Sequence, residues 1–515
     1  MKILALGDNA LFLKNFRERT RPALVISSAT VASLILVLIV AACLMVETDF
    51  SRPSWPGFAF FWLAICQGAT ILILGSISVS SMVLDERRAG TLDFHRTSPT
   101  PPFDQILGLV LGAPILEWCV VGVTAVIATF LALAGGISLM MVVLFYVSLI
   151  LTALLFHTLI LFASLAFERK RGRTYESSWP VLVFVLAGLA SLAGVSGRVS
   201  VLYHATCAPA YVRIGEEVFR NSESDVAPQA FIFFHTRLPS IILEAIVQLP
   251  LLVLFWIGAM RKMAHPERPT LSKVQSLILV AFLLTLFVGT VLPFLPTEGP
   301  RVPRHTIQAI MGIFLYFVLM LGLFGVAPVT PSRLFHLKGL RRMRKQGRTR
   351  LPRLGDYGSN VTWLGVFLIF ALATHCVFLW PALEGTMRAE CLALVGLVAA
   401  YVAWFAGALE VFRLGKYHAK KSLFTVAVGI PWLFLPMFGF VLAISDLLRW
   451  LMPYFLSLSP IFGTIVFAGI VFENSTGAGT LQLESVWFAL VVNVLLACGM
   501  LFAAHRARRN LLEGE

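Results

Sequence analysis

Apolar runs of about 20 residues, long enough to cross a bilayer as helix, recur along the whole of this chain. Six lie near Leu24–Val46, Ala59–Leu84, Ile106–Gly135, Leu139–Phe167, Trp179–Gly197 and Pro239–Met260. Six more lie near Val274–Leu295, Thr306–Ala327, Val361–Trp380, Glu390–Leu409, Leu423–Ile444 and Ser485–Ala504. Segments such as Leu24–Val46 and Leu139–Phe167 lack the period of two that a membrane barrel strand needs. Of the 515 residues, 58% are hydrophobic and 13% charged, against about 45–50% and about 25% in soluble domains. The pattern predicts an all-α integral membrane protein with about 12 transmembrane helices arranged as six plus six.

The net charge of +14 follows membrane topology rather than one soluble face, so it does not point to nucleic acid. With both termini in the cytoplasm, 32 of the 41 Lys and Arg residues fall in inside segments, as the positive-inside bias requires. The stretch Leu451–Phe472 is apolar enough to span, but a crossing there would put Arg506, Arg508 and Arg509 outside. Pro453, Pro460 and Gly463 interrupt it, so a re-entrant or broken segment is expected. The seven cysteines lie mostly within apolar runs, and their spacing gives neither a metal site nor a disulfide framework. The resulting division is an interfacial helix (1–23), a first six-helix region (24–260), an inside linker (261–273), a second six-helix region (274–504) and an inside tail (505–515).

The second inside loop carries the most specific chemistry. It reads Asp85-Glu86-Arg87-Arg88-Ala89-Gly90-Thr91-Leu92-Asp93-Phe94-His95-Arg96-Thr97-Ser98-Pro99, followed shortly by Ile106-Leu107-Gly108. Gly90 and Thr91 can end one helix and cap another, with Asp93 placed favourably in the first turn. Pro99 stops the new helix, which would expose Leu92 and Phe94 and suit a groove on a partner protein. An ordinary charged turn is the plainer alternative.

This loop resembles that of the membrane subunits of ABC-2 type ATP-binding cassette transporters. There a Glu, a basic residue, Gly-Thr-Leu, a Ser/Thr-Pro pair and Ile-Leu-Gly mark the loop between the second and third helices. They correspond to Glu86, Arg87, Gly90-Thr91-Leu92, Ser98-Pro99 and Ile106-Leu107-Gly108. The resemblance implies an ATPase-coupling helix involving Glu86, Arg87, Gly90, Thr91, Leu92, Asp93, Phe94 and Pro99. It also covers the amphipathic start from Asn9 to Arg21, which looks like the family's interfacial elbow helix, and extends over about the first half of the chain. The second half has no counterpart in the six-helix family unit. The implied partners are a cytoplasmic ATPase subunit and a second permease chain, unless the two halves form a tandem pseudo-dimer.

No Gly-x-x-x-x-Gly-Lys-Ser/Thr phosphate loop occurs, so no cofactor is expected on this chain. ATP and Mg would act through the partner ATPase, and the chain itself would not be an enzyme. Polar groups inside apolar runs are costly unless paired or turned to a wet cavity, which singles out Gln67, Glu117, His157 and Asn493 as pathway or helix-bridging residues. Arg333 to Arg353 holds nine Lys and Arg, which read either as a topology determinant or as a surface for anionic headgroups or an acidic ATPase face. Glu244 and Asp446 fall at expected helix ends, where no role is assigned. The expected function is an exporter permease in the plasma membrane, a bacterial inner membrane. The competing expectation is a twelve-helix secondary carrier driven by an ion gradient.

Overall fold

The computed structural model describes residues 9–46, 55–166, 204–218, 231–292 apart from 235, 314, 317–346 apart from 324 and 332, 355–379, 386–414 and 479–513. Two compact units divide between Pro266 and Glu267. Among the described residues, nine helices are long and apolar enough to cross a membrane, each at an expected position. The expected helices Trp179–Gly197 and Leu423–Ile444, the segment Leu451–Phe472 and Asp446 lie outside the described residues, and Thr306–Ala327 lies partly outside them.

The first unit begins with α1 (Ala10–Arg19), capped by the Asn9 side chain, which accepts from the Leu11 and Phe12 amides. Thr20 and Arg21 break the helix. Pro22, with φ already fixed and no first-turn N–H left orphaned, starts α2 (Pro22–Val46). Next come α3 (Trp55–Gly68), a π turn (Ala69–Leu74) and α4 (Gly75–Ala89), together one 35-residue rod. Gly90, at φ +75°, ends the rod in the left-handed region, and α5 (Thr91–Thr97) departs from it.

The expected single helix Ile106–Gly135 is two helices, α6 (Pro102–Gly112) and α7 (Ile115–Ala134). Pro114, which has no N–H to continue an α-helical ladder, marks the break. The unit continues with α8 (Leu139–Ala166), α9 (Ala208–Val218), the antiparallel pair β1 (Phe231–Phe233) and β2 (Thr236–Leu238), and α10 (Ser240–Ala264). Because α10 runs to Ala264, the first residues of the expected 261–273 linker are helical.

Phe60, Ala64, Ile71, Ala128, Phe145, Leu149 and Ile214 form the core that joins α3, α7, α8 and α9. Leu34, Val37 and Leu38 of α2 and Val126 and Phe130 of α7 instead point outward. In water such apolar faces would drive aggregation, whereas in lipid they are the solvated surface. The protein is accordingly a multi-pass membrane protein.

The second unit holds α11 (Lys273–Val291), α12 (Arg333–Lys345), α13 (Asn360–Thr374) with a π turn (His375–Leu379), α14 (Thr386–Leu414) and α15 (Gly479–Glu513). A reciprocal Ser272–Gln275 capping box starts α11. α14 and α15 are closely packed, and a Cβ on Gly407 would lie 2.9 Å from the Met500 carbonyl carbon. Lipid tails are as apolar as Leu, so such close van der Waals approach is the main source of adhesion between membrane helices. The segment expected as a tail after Ala504 continues as helix to Glu513.

α1 seats against α6 by the same device. A Cβ on Gly108 would lie 2.9 Å from Asn9 Oδ1 and 3.0 Å from the Phe12 amide. Gly108→Val is expected to cost roughly 1–3 kcal/mol through overpacking and to release α1. Faster tryptic cleavage at Arg17 and Arg19, with a lower thermal midpoint, checks this; unchanged cleavage would refute the seating.

Candidate functional site

Glu86 sits one turn before the rod ends and is only 3% exposed. Its carboxylate accepts from Lys14 Nζ of α1 at 2.5 Å and from the Thr91 hydroxyl at the start of α5, and His95 Nε2 of α5 lies 3.3 Å away. One carboxylate therefore ties the rod, α1 and the short helix α5. A buried carboxylate is tolerated only with such donors around it, because its lost hydration must be replaced by charge-assisted hydrogen bonds.

The loop after α5 is held by a second hub. Gln105 Nε2 of α6 donates to the carbonyls of His95 at 2.7 Å and Thr100 at 2.9 Å. Asn9 Nδ2 donates to the Asp104 carbonyl at 2.6 Å, and Asn15 Nδ2 to the Gly108 carbonyl at 3.2 Å. These bonds add side-chain donors to carbonyls within α6 and occupy carbonyls before it, fastening α1 and the bend to α6.

The sequence reading expected Leu92 and Phe94 both to be exposed, and the structure corrects half of that. Leu92 is 2% exposed and packs inward, whereas Phe94 is 69% exposed. Two residues along a helix turn the side chain by about 200°, so both cannot share a face. Asp93, on the open side, pairs at 2.9 Å with the largely buried Arg96. Pro99 is exposed and Arg87 half-buried. The surface available to a partner thus centres on Phe94.

The residues expected to bridge helices or line a pathway separate by role. Gln67 is buried between three helices: its Nε2 donates to Thr124 Oγ1 at 3.1 Å, and Tyr146 donates to its Oε1 at 3.1 Å. Ser78 donates to Glu117 Oε1 at 2.5 Å, joining α4 to α7. His157 lies fully buried with Nε2 2.9 Å from the Ile71 carbonyl, which belongs to the π turn. The absence of a side chain at Gly75 makes room for it, since a Cβ there would be 2.6 Å from His157 Nε2. Asn493 donates at 2.8 Å to the Ala489 carbonyl of its own helix.

Glu244, Glu410 and Lys273 are buried charged residues with no role assigned from sequence alone. Glu244, given no role as a helix-end residue, is 1% exposed and accepts from the Ser148 hydroxyl of α8. One turn on, Gln248 Nε2 donates to the carbonyls of His204 and Thr206, each at 3.3 Å. In the second unit, Glu410 of α14 accepts from Arg508 at 2.7 Å, from the Ser359 hydroxyl at 3.2 Å and from the Asn360 amide. This places a negative charge at the positive end of α13. Lys273, also fully buried, donates to the Ser359 carbonyl at 2.6 Å.

Some of this left a trace in the sequence. Asn9 stands before an amphipathic helix as an N-cap should, and Gly108 and Gly112 stand four apart as a close-contact strip does. Lys14, His95 and Gln105 had no local signal, because each is defined by a partner distant in the chain or across a bend. The result is a multi-pass helical membrane protein with a short helix clamped at one end of the rod in its first unit. No family model, curated protein or solved structure matches the chain.

Glu86→Ala is expected to destabilise the first unit by roughly 1–3 kcal/mol by stripping donors of their acceptor. Lys14→Met should cost less, roughly 0–1 kcal/mol, because the Lys14 side chain is 39% exposed and its charge is screened. A double-mutant cycle on thermal or denaturant unfolding in detergent checks the coupling, and additive effects would disprove it.

Proposed function

We propose that this chain is the membrane-spanning permease subunit of an ABC-2 type ATP-binding cassette transporter, an exporter in the bacterial inner membrane with both termini cytoplasmic. The observation that carries the reading is the clamp on α5: Phe94 projects into open space while Leu92 and Glu86 anchor the helix to the rod and elbow. A push on Phe94 by a cytoplasmic ATPase reaches α4 through Glu86 and α1 through Lys14, with little compliance between. A loosely hinged loop would absorb that motion.

The ATPase binds ATP and Mg and performs the hydrolysis. This chain's residues receive the stroke and convert it to movement of the rod, whose π turn at Ala69–Leu74 is the place where α-helical hydrogen bonding is already re-registered. A second permease chain, identical or different, completes the pathway unless the two units of this chain act as a tandem pair. The bilayer and the ATPase are its immediate partners.

Phe94→Ala is expected to weaken ATPase association by about 2 kcal/mol, roughly thirtyfold, as loss of an aromatic anchor does. Pull-down of the ATPase encoded beside this reading frame, with the purified full chain and its Phe94→Ala variant, measures it. Equal recovery with both, or none with either, counts against the proposal.

One observation favours a second reading. Glu244 is a buried carboxyl group within a membrane helix, the kind of group an ion-coupled secondary carrier uses. Under that reading, proteoliposomes containing only this chain transport substrate along an imposed proton or sodium gradient, and Glu244→Gln abolishes that transport. Under the permease reading, no gradient replaces ATP.

A further inference from the structure

α12 is a strongly basic helix, with six Lys and Arg among its thirteen residues and no acid. Its two sides differ. Phe335, His336 and Leu340 are buried: Phe335 stacks on the Tyr357 ring at 4.3 Å, and His336 Nδ1 lies 2.8 Å from the Tyr357 carbonyl. Burial pushes the His336 imidazole below its usual range. Arg341, Arg342 and Lys345 lie on the exposed side, joined by Lys338, which is 56% exposed and 3.4 Å from Glu267.

The level of this helix is set by its neighbours. Tyr357 lies three residues before α13 begins, and Glu267 six before α11 begins. Lys273 at the start of α11 donates to the Ser359 carbonyl just before α13, and Glu410 near the end of α14 accepts from Ser359 and from Arg508 of α15. The ends of four helices thus converge where α12 is attached, and the ends of bilayer-crossing helices are the parts that reach toward the headgroup layer. Basic side chains on stems of three or four carbons reach the headgroup layer from there.

We propose that the exposed face of α12 is a binding surface for anionic phospholipid headgroups, with Arg341, Arg342, Lys345 and Lys338 as phosphate contacts. Charge complementarity favours this occupant: a helix with six cations and no acid of its own, anchored by its buried side, presents Arg341, Arg342 and Lys345 to phosphodiesters, with Glu267 beside Lys338 at its edge. The surface holds α12 in place and, through Tyr357 and Ser359, the entry to α13. It is independent of whether the chain partners an ATPase.

The test uses the purified full chain in nanodiscs of phosphatidylcholine doped with a phosphatidylglycerol that carries a photoreactive headgroup. Crosslinks are mapped by mass spectrometry to peptides covering 333–346 and, for comparison, 9–21. The wild type is expected to crosslink on 333–346, and the yield to fall as salt rises. Combined Arg341→Gln, Arg342→Gln and Lys345→Gln should lower that yield at low salt by roughly fivefold for each charge removed, with the yield on 9–21 and the thermal midpoint unchanged. Arg341→Lys with Arg342→Lys should retain it. An unchanged yield in the triple Gln variant, or an equal yield with a photoreactive phosphatidylcholine, overturns the proposal. Unchanged lipid crosslinking together with loss of a co-purifying acidic soluble chain assigns the face to a protein and overturns it as well.

Discussion

A carboxylate taken out of water needs its hydration replaced by donors fixed in place, and the architecture of both units depends on how that need is met. Glu86 meets it with Lys14, Thr91 and a neighbouring His95, and Glu410 with Arg508, Ser359 and the first amide of α13. In each unit the acid stands near the end of a long helix, and its donors come from segments that apolar packing alone would leave loose. The first cluster fastens the start of α5 and adds to the close packing that seats α1 on α6, and the second ties the final turns of α15 to α13 and α14. Removing either acid would leave its donors facing a space that hydrocarbon cannot solvate.

Elsewhere the same scarcity of water explains the geometry of the helices. The π turn in the rod presents the Ile71 carbonyl to His157, and the bare Gly75 admits the imidazole that reaches it. Gln67 spends both ends of its amide on α7 and α8. Each bridge replaces interactions that water would otherwise supply and fixes the rotation of a helix that a featureless apolar surface would leave undetermined. The proposed mechanical role of α5 follows from this stiffness, since force applied at Phe94 travels through bonded groups rather than through a deformable loop.

The two units arrive at their loop ends by different chemistry. The first exposes an aromatic residue on a short helix with charges paired around it, while the second presents a basic amphipathic helix over the converging ends of α11, α13, α14 and α15. An exposed aromatic side chain suits a protein groove, and an unbroken row of cations suits a phosphate surface. The second half has no Glu-to-Gly-Thr-Leu string, and its basic helix is held by stacking on Tyr357 and by the Lys338–Glu267 pair.

Hydropathy and run length were enough to identify a helical membrane protein and to place the nine described spans, because the cost of exposing backbone and polar groups to lipid falls locally, residue by residue. Local chemistry also revealed the stop at Gly90 and the short helix up to Pro99. The break at Pro114 was less legible, since an apolar run continues across it, and the inward turn of Leu92 depends on which side of α5 the rod happens to occupy. Lys14 and Glu86 are 72 residues apart, and Glu410 and Arg508 are 98 apart. No local pattern encodes such pairs. The sequence by itself determined which segments must enter the bilayer, whereas only the tertiary structure decided which buried charges meet, because that depends on the rotation and approach of helices distant in the chain.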